Sequence, residues 1–358
     1  MRPQITNPLE LSELFKKQFE LCRVRSGETL VVLSDLGTRR EYVQASFSAA
    51  RHLGADIYEM GVSDMPSWTR VGIETVGSCK GAVEALKAAD MIVACHVPLF
   101  TKWMKEVRAA NTRVLMVVDH PDDLKSQMSD EAVKAAIVYG GKRLERAKTM
   151  RVTNAAGMDL RCELGEYPTL VQYGFADEPG RFDHWGAGHV STFPNELTAT
   201  GTVVVQPGDI VVLPYNRYVV DPIHLEISKG YVTSIKGGAD ARLMEHWLSS
   251  NKRDAEDREG YAVSHLGWGM NPYCRWDCIA LNGDDPDRSN SAVRAFAGNF
   301  LFSTGPNTQG GGNRNTTGHY DVPMKDCSLY LDDELIIDQG NLVDPKMRVD
   351  ASNRPTAW

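Results

Sequence analysis

Between residues 29 and 118 the chain repeats one alternation, a short β-prone apolar run followed by a stretch with helical periodicity. The runs are Thr29-Leu-Val-Val-Leu, Ala55-Asp-Ile-Tyr-Glu-Met, Met91–Val97 and Arg113-Val-Leu-Met-Val-Val. The first has no polar alternation, as expected of a strand covered on both faces. Helical stripes separate them at Arg39–Leu53, closed by Gly54, at Gly81–Ala88 and at Phe100–Ala110; Leu9–Cys22 and Asp130–Lys148 flank the series. This pattern leaves few options. Parallel strands need long crossovers, and crossovers that are helices must cover the sheet they connect. The reading is an α/β N-terminal domain with a mainly parallel sheet.

Beyond Met150 the texture changes. Thr202-Val-Val-Val, Ile210-Val-Val-Leu, Ile223–Ile227 and Tyr231–Ile235 are β-prone and separated by Pro-Gly-Asp and Lys-Gly turns. Val171–Trp185 reads as loop, with Asp177-Glu-Pro-Gly as a turn. A helix is expected at Ala239–Leu248 and a hairpin at Leu329–Ile337. This half is α+β and mainly antiparallel. With 358 residues exceeding what one core usually serves, the expected division is an α/β domain at 1–150 and an α+β domain, carrying the chemistry, at 151–358.

Several function classes drop out. A net charge of −8 lacks the basic footprint of a non-specific nucleic-acid binder. No apolar run approaches the length that crosses a bilayer. The N-terminal Met-Arg-Pro-Gln-Ile-Thr-Asn-Pro has no apolar leader core, and seven scattered cysteines read as reduced thiols, so the expected location is the cytoplasm. No Gly-x-Gly-x-x-Gly follows any strand. Gln309-Gly-Gly-Gly-Asn lacks the Gly-Lys-Ser/Thr ending of a phosphate loop. Its glycines suit a tight turn ahead of Gly318-His-Tyr-Asp.

That last motif is the strongest local signal. In an extended strand residues two apart share a face, so His319 and Asp321 point together while Tyr320 points away. The pair is either two ligands for a divalent metal or an ordinary His–Asp hydrogen bond. His265 sits in a second β-prone segment, followed by Gly267 and Gly269, which permit close backbone approach. Two histidines and one carboxylate, His265, His319 and Asp321, would make a facial set that leaves positions open on Fe(II). A satisfied core histidine explains His265 alone equally well.

A family resemblance joins the two segments. Thr192-Phe-Pro-Asn-Glu-Leu-Thr-Ala-Thr, Ile227–Gly238, Val263-Ser-His-Leu-Gly-Trp-Gly-Met-Asn and Gly318-His-Tyr-Asp resemble the leucyl aminopeptidase T-like metallopeptidases. That resemblance implies an aminopeptidase T-like catalytic half. Where those two-metal enzymes carry a glutamate ligand, this chain has His265, and its His319 and Asp321 keep their His-x-Asp. The departure resembles the 2,5-dihydroxypyridine 5,6-dioxygenase branch, over most of the chain. The branch implies Fe(II) on His265, His319 and Asp321, with a hydroxypyridine and O₂ as small-molecule partners and a homo-oligomeric assembly. His189 is the expected acid/base, since an imidazole titrates near neutral pH. Glu178 and His184 are weaker candidates for that role. Ser303 is expected at the ring substituents, and Glu196 falls on a peptidase ligand position. The alternative activity is a two-metal aminopeptidase-like hydrolase. His224 and Glu226 share a strand face and read as an exposed hairpin pair.

Overall fold

The alternating runs pair into one parallel sheet, in the spatial order Asp56–Gly61, Thr29–Ser34, Met91–Ala94, Arg113–Met116 and Phe182–His184. The computed structural model describes residues 6–63, 71–282 and 291–353; most of the N-terminal segment read for a leader, Met1–Ile5, lies outside them. Strand Thr29–Ser34 shows why the sheet needs cover on both faces. Leu30 and Val32 join one apolar cluster, with Phe15, Phe19 and Tyr42 from helices Pro8–Leu21 and Arg40–Leu53. Val31 and Leu33 join another, with Trp103 and Met104 from helix Lys102–Ala109. Local chemistry sets the helix ends. The Asn7 side chain accepts from the Glu10 amide ahead of Pro8, and Asp130 does the same for Val133 at the start of Glu131–Arg146, a contribution of about 1 kcal/mol each. Gly54 ends its helix at φ +76°, a conformation that favours glycine.

One reading is corrected here. Val171–Trp185 is not simply loop, because Leu170–Gln172 and Phe182–His184 are strands and the latter forms the fifth member of the parallel sheet. Asp183 makes this possible. Its buried carboxylate accepts from the amides of Tyr173, Gly174 and His184 and from Arg181 Nη2. The short strand thus buries a carboxylate that is fully partnered. The chain from the second half returns to the first half's sheet, and the larger apolar cluster draws on residues from Leu11 to Met347.

The remaining strands are antiparallel. Eight form one sheet, from Tyr231–Gly237 through the central Thr149–Thr153 to Asn341–Leu342. Five form another, in the order Tyr320–Met324, Phe300–Thr304, Val263–Gly269, His189–Thr192 and Leu170–Gln172. Four residues, 185–188, link the parallel strand ending at His184 to the antiparallel strand beginning at His189. A parallel strand and an antiparallel strand are therefore joined at a pair of histidines. His224 and Glu226 lie on the exposed face of Ile223–Ser228. All seven cysteines are unpaired thiols, and among the described residues no helix is long and apolar enough to cross a membrane.

Candidate metal centre

Three neighbouring strands converge on one point. His265 lies on Val263–Gly269, where the pairing with Phe300–Thr304 shifts register between Val263 and Leu266. A bulge of this kind re-aims a side chain. The neighbouring strand can close in because Gly267 has no Cβ; one placed there would lie 1.9 Å from the Val190 carbonyl oxygen. Ser303 Oγ donates to the His265 carbonyl (2.8 Å), so Ser303 steadies the bulge from across the ladder. Asp321 pairs with Ser303 on one side, and its backbone bonds Val212 and Leu213 on the other.

One ligand-type atom from each of His265, His319 and Asp321 lies within 4.8 Å of the other two, and all three residues are buried. His265 Nδ1, His319 Nε2 and Asp321 Oδ1 have no hydrogen-bond partner. Burying an unpaired polar atom is costly, and the three residues that carry these atoms are the same three that bring ligand-type atoms together. In His319 and Asp321 the other side-chain atom is committed. His319 Nδ1 lies 2.7 Å from the Thr304 carbonyl, which can only accept, so the ring proton is on Nδ1 and Nε2 presents a lone pair. Arg294 Nη1 holds Asp321 Oδ2 at 3.2 Å. Burial pushes the His265 imidazole down to about 3 and lowers that of His319, with Asp321 opposing the shift in both. Both rings are therefore neutral near pH 7, the form that ligates. Two nitrogens and a carboxylate oxygen suit a divalent metal of intermediate hardness.

The walls are aromatic. Phe100 stands edge-on to His319 (5.3 Å between centroids) and Phe193 edge-on to His265 (6.2 Å). Phe100 is held at φ +62°, a strained conformation for so large a residue. His184 and His189 sit beside one another with centroids 5.6 Å apart. Both are buried, and burial followed by the charge of Arg294 drives both imidazoles well below their usual range.

Other expected residues fall elsewhere. Glu178 is exposed on the turn ahead of Phe182–His184 and is not brought to the group. Glu196 is not in the ligand group either. Its carboxylate takes Arg314 Nη1 on both oxygens (2.5 and 2.6 Å), the Tyr167 hydroxyl (2.7 Å) and Asn307 Nδ2 (2.8 Å). Arg294, Phe100 and Phe193 were not singled out by sequence. Arg294 follows an Asn/Ser-rich stretch with no motif, and Phe100 reads as an ordinary helix start. Only Phe193 lay within a segment that carried the resemblance.

This architecture is an aminopeptidase T-like fold. Wild-type AmpT from Thermus thermophilus superposes with a TM-score of 0.61 at 13% identity, over 93% of this chain and 99% of that one. Within that fold the chain belongs to the 2,5-dihydroxypyridine 5,6-dioxygenase (NicX) family, whose sequence model matches residues 10–344. It is 35% identical to the 2,5-dihydroxypyridine 5,6-dioxygenase of Pseudomonas putida KT2440 over 345 residues, 94% of this chain and 97% of that protein. A solved structure of the dioxygenase from that organism has a TM-score of 0.90, covering 96% of this chain and 99% of the other.

Proposed function

We propose that the protein is an Fe(II)-dependent dioxygenase that opens 2,5-dihydroxypyridine between C5 and C6, giving N-formylmaleamate in the cytoplasm. The observation that carries the reading is the convergence of ligand-type atoms from His265, His319 and Asp321, three buried residues each with an unpartnered polar atom, in a chain of this family. When bound, Fe(II) supplies the one-electron chemistry that lets a closed-shell ring react with triplet dioxygen.

The chain's own residues do the rest. His265, His319 and Asp321 would hold the metal from one side and leave the other for small molecules. The Thr304 carbonyl fixes the His319 tautomer, and Arg294 keeps Asp321 Oδ2 occupied so that Oδ1 faces the site. Phe100 and Phe193 exclude water beside the two imidazoles. His189, neutral through burial, accepts the proton of a ring hydroxyl and returns it as the ring opens; His184 stands beside it. The product keeps every atom of the ring and both atoms of dioxygen. The hydrolase reading finds no support at Glu196, whose carboxylate is taken up by a guanidinium.

Turnover in ¹⁸O₂ tests this. One O₂ should disappear per ring opened, with label in the ring-opened acid. Label arriving from H₂¹⁸O alone, or equal turnover under nitrogen, would overturn the reading.

A further inference from the structure

Asp321 is not held by its own strand alone. Its Oδ2 is gripped by Arg294, and Arg294 stands on a short 3₁₀ turn, Ser291–Ala295, outside the sheet. Two anchors hold that turn. Asn299 Nδ2 donates to the carbonyls of Val293 and Arg294 (3.1 and 3.0 Å), while Asn299 Oδ1 accepts from the Gly269 amide (2.7 Å). The second anchor comes from the other half of the molecule. Asp119 lies in the loop after parallel strand Arg113–Met116, and it is 1% exposed. Its carboxylate accepts from the Ser291 amide (3.1 Å) and from the Ser291 hydroxyl on both oxygens (3.1 and 3.0 Å). The Ser291 carbonyl in turn accepts from Arg294 Nε (3.1 Å). The Tyr42 hydroxyl donates to the Asp119 carbonyl and ties that loop to helix Arg40–Leu53.

We propose that Asp119 is a positioning residue for the metal ligand Asp321, acting through Ser291 and Arg294. The role rests on the metal reading above. Each link removes one freedom. Asp119 fixes where Ser291 sits, the Ser291 carbonyl fixes the rotation of the guanidinium, and the guanidinium decides which carboxylate oxygen is left for a metal. All four residues are at least nine-tenths buried, so water does not readily replace a lost link. The carboxyl edge of the parallel sheet is thereby coupled to a ligand on the antiparallel sheet. Partners that orient a ligand in this way typically change metal affinity by about 10–100-fold when removed.

Cobalt(II) titration of the full chain tests the role without turnover, since its visible absorption reports ligand geometry. Asp119→Asn removes an acceptor from Ser291 at nearly constant shape. It should weaken cobalt binding by about 10–100-fold and alter the band pattern. Ser291→Ala should act in the same direction but less, Ser291→Thr should restore the wild-type spectrum, and Asp119→Asn/Ser291→Ala should be no worse than Asp119→Asn alone. Circular dichroism checks that each variant folds. A lowered melting temperature with wild-type cobalt affinity and spectrum would make Asp119 merely structural and overturn the proposal. Failure of the unmodified protein to take up cobalt would instead overturn the metal reading itself; uptake there, with Asp119→Asn unchanged, would overturn only the role given to Asp119.

Discussion

Two polar clusters flank the same antiparallel sheet, and they are built in opposite ways. At Glu196 both carboxylate oxygens are answered. Arg314, in the Gly/Asn-rich loop, spends Nη1 on the carboxylate, Nη2 on the Val263 carbonyl (2.9 Å) and Nε on the Gly305 carbonyl (3.3 Å), while Tyr167 and Asn307 complete the carboxylate. Glu196 itself remains 41% exposed along its side chain. Around Asp321 the reverse holds. The residues are buried, yet Asp321 Oδ1, His319 Nε2 and His265 Nδ1 have no partner. A protein tolerates unsatisfied polar atoms in its interior where something else is meant to meet them. The closed cluster therefore reads as a brace for the loop, and the open one as a binding site.

The comparison can be broken most sharply at the open cluster. Replacing His265, His319 or Asp321 by Ala should remove bound iron and turnover together, to background. Metal analysis beside oxygen uptake checks this, and normal values for both would strike that residue from the ligand set. Next in size is His189→Ala, which should retain iron but slow turnover by about 10²–10⁴-fold. Because burial lowers the His189 imidazole, the pH dependence lost in this variant should lie on the acid side of the ordinary imidazole range. Iron loss in this variant would move His189 into the ligand group instead.

At the closed cluster the expected effects are smaller and concern stability. Arg314→Met leaves the Val263 and Gly305 carbonyls and the Glu196 carboxylate short of donors, at a cost of about 1–3 kcal/mol. A denaturant melt should show it, with faster hydrogen exchange confined to residues 305–317. Glu196→Gln loses only a partly exposed ion pair and should cost about 1 kcal/mol or less. A large loss of bound metal in either variant would erase the contrast between the clusters.

How much of this was legible in sequence follows from where the determining forces lie. The parallel sheet and its helices were readable because burial on both faces writes itself as uninterrupted apolar runs and helical stripes, and because Gly54 and Asp130 mark helix ends locally. Phe182–His184 was not readable as a strand. Its central residue is a carboxylate, and the donors gathered from Tyr173, Gly174, Arg181 and His184 make that burial tolerable. At the site, His319 and Asp321 announced themselves through period two, and His265 through the glycines beside it. That the two segments meet needed the family resemblance, since strand neighbours leave no mark in spacing. Arg294 left no local signal, because its partner Asp321 is 27 residues away and its anchor Asp119 lies in the other half of the chain. Phe100 acts through a strained backbone and a contact with His319, which composition does not report.

If His265, His319 and Asp321 make one metal site and a guanidinium closes off Glu196, each chain should take up a single iron. Metal stoichiometry after saturation with Fe(II) under nitrogen and gel filtration tests it most directly, on the unmodified protein, Glu196→Gln and Asp321→Ala in parallel. The expected result is one iron per chain in the first two and none in the third. Two metal ions per chain in the unmodified protein, one of them lost in Glu196→Gln, would contradict it.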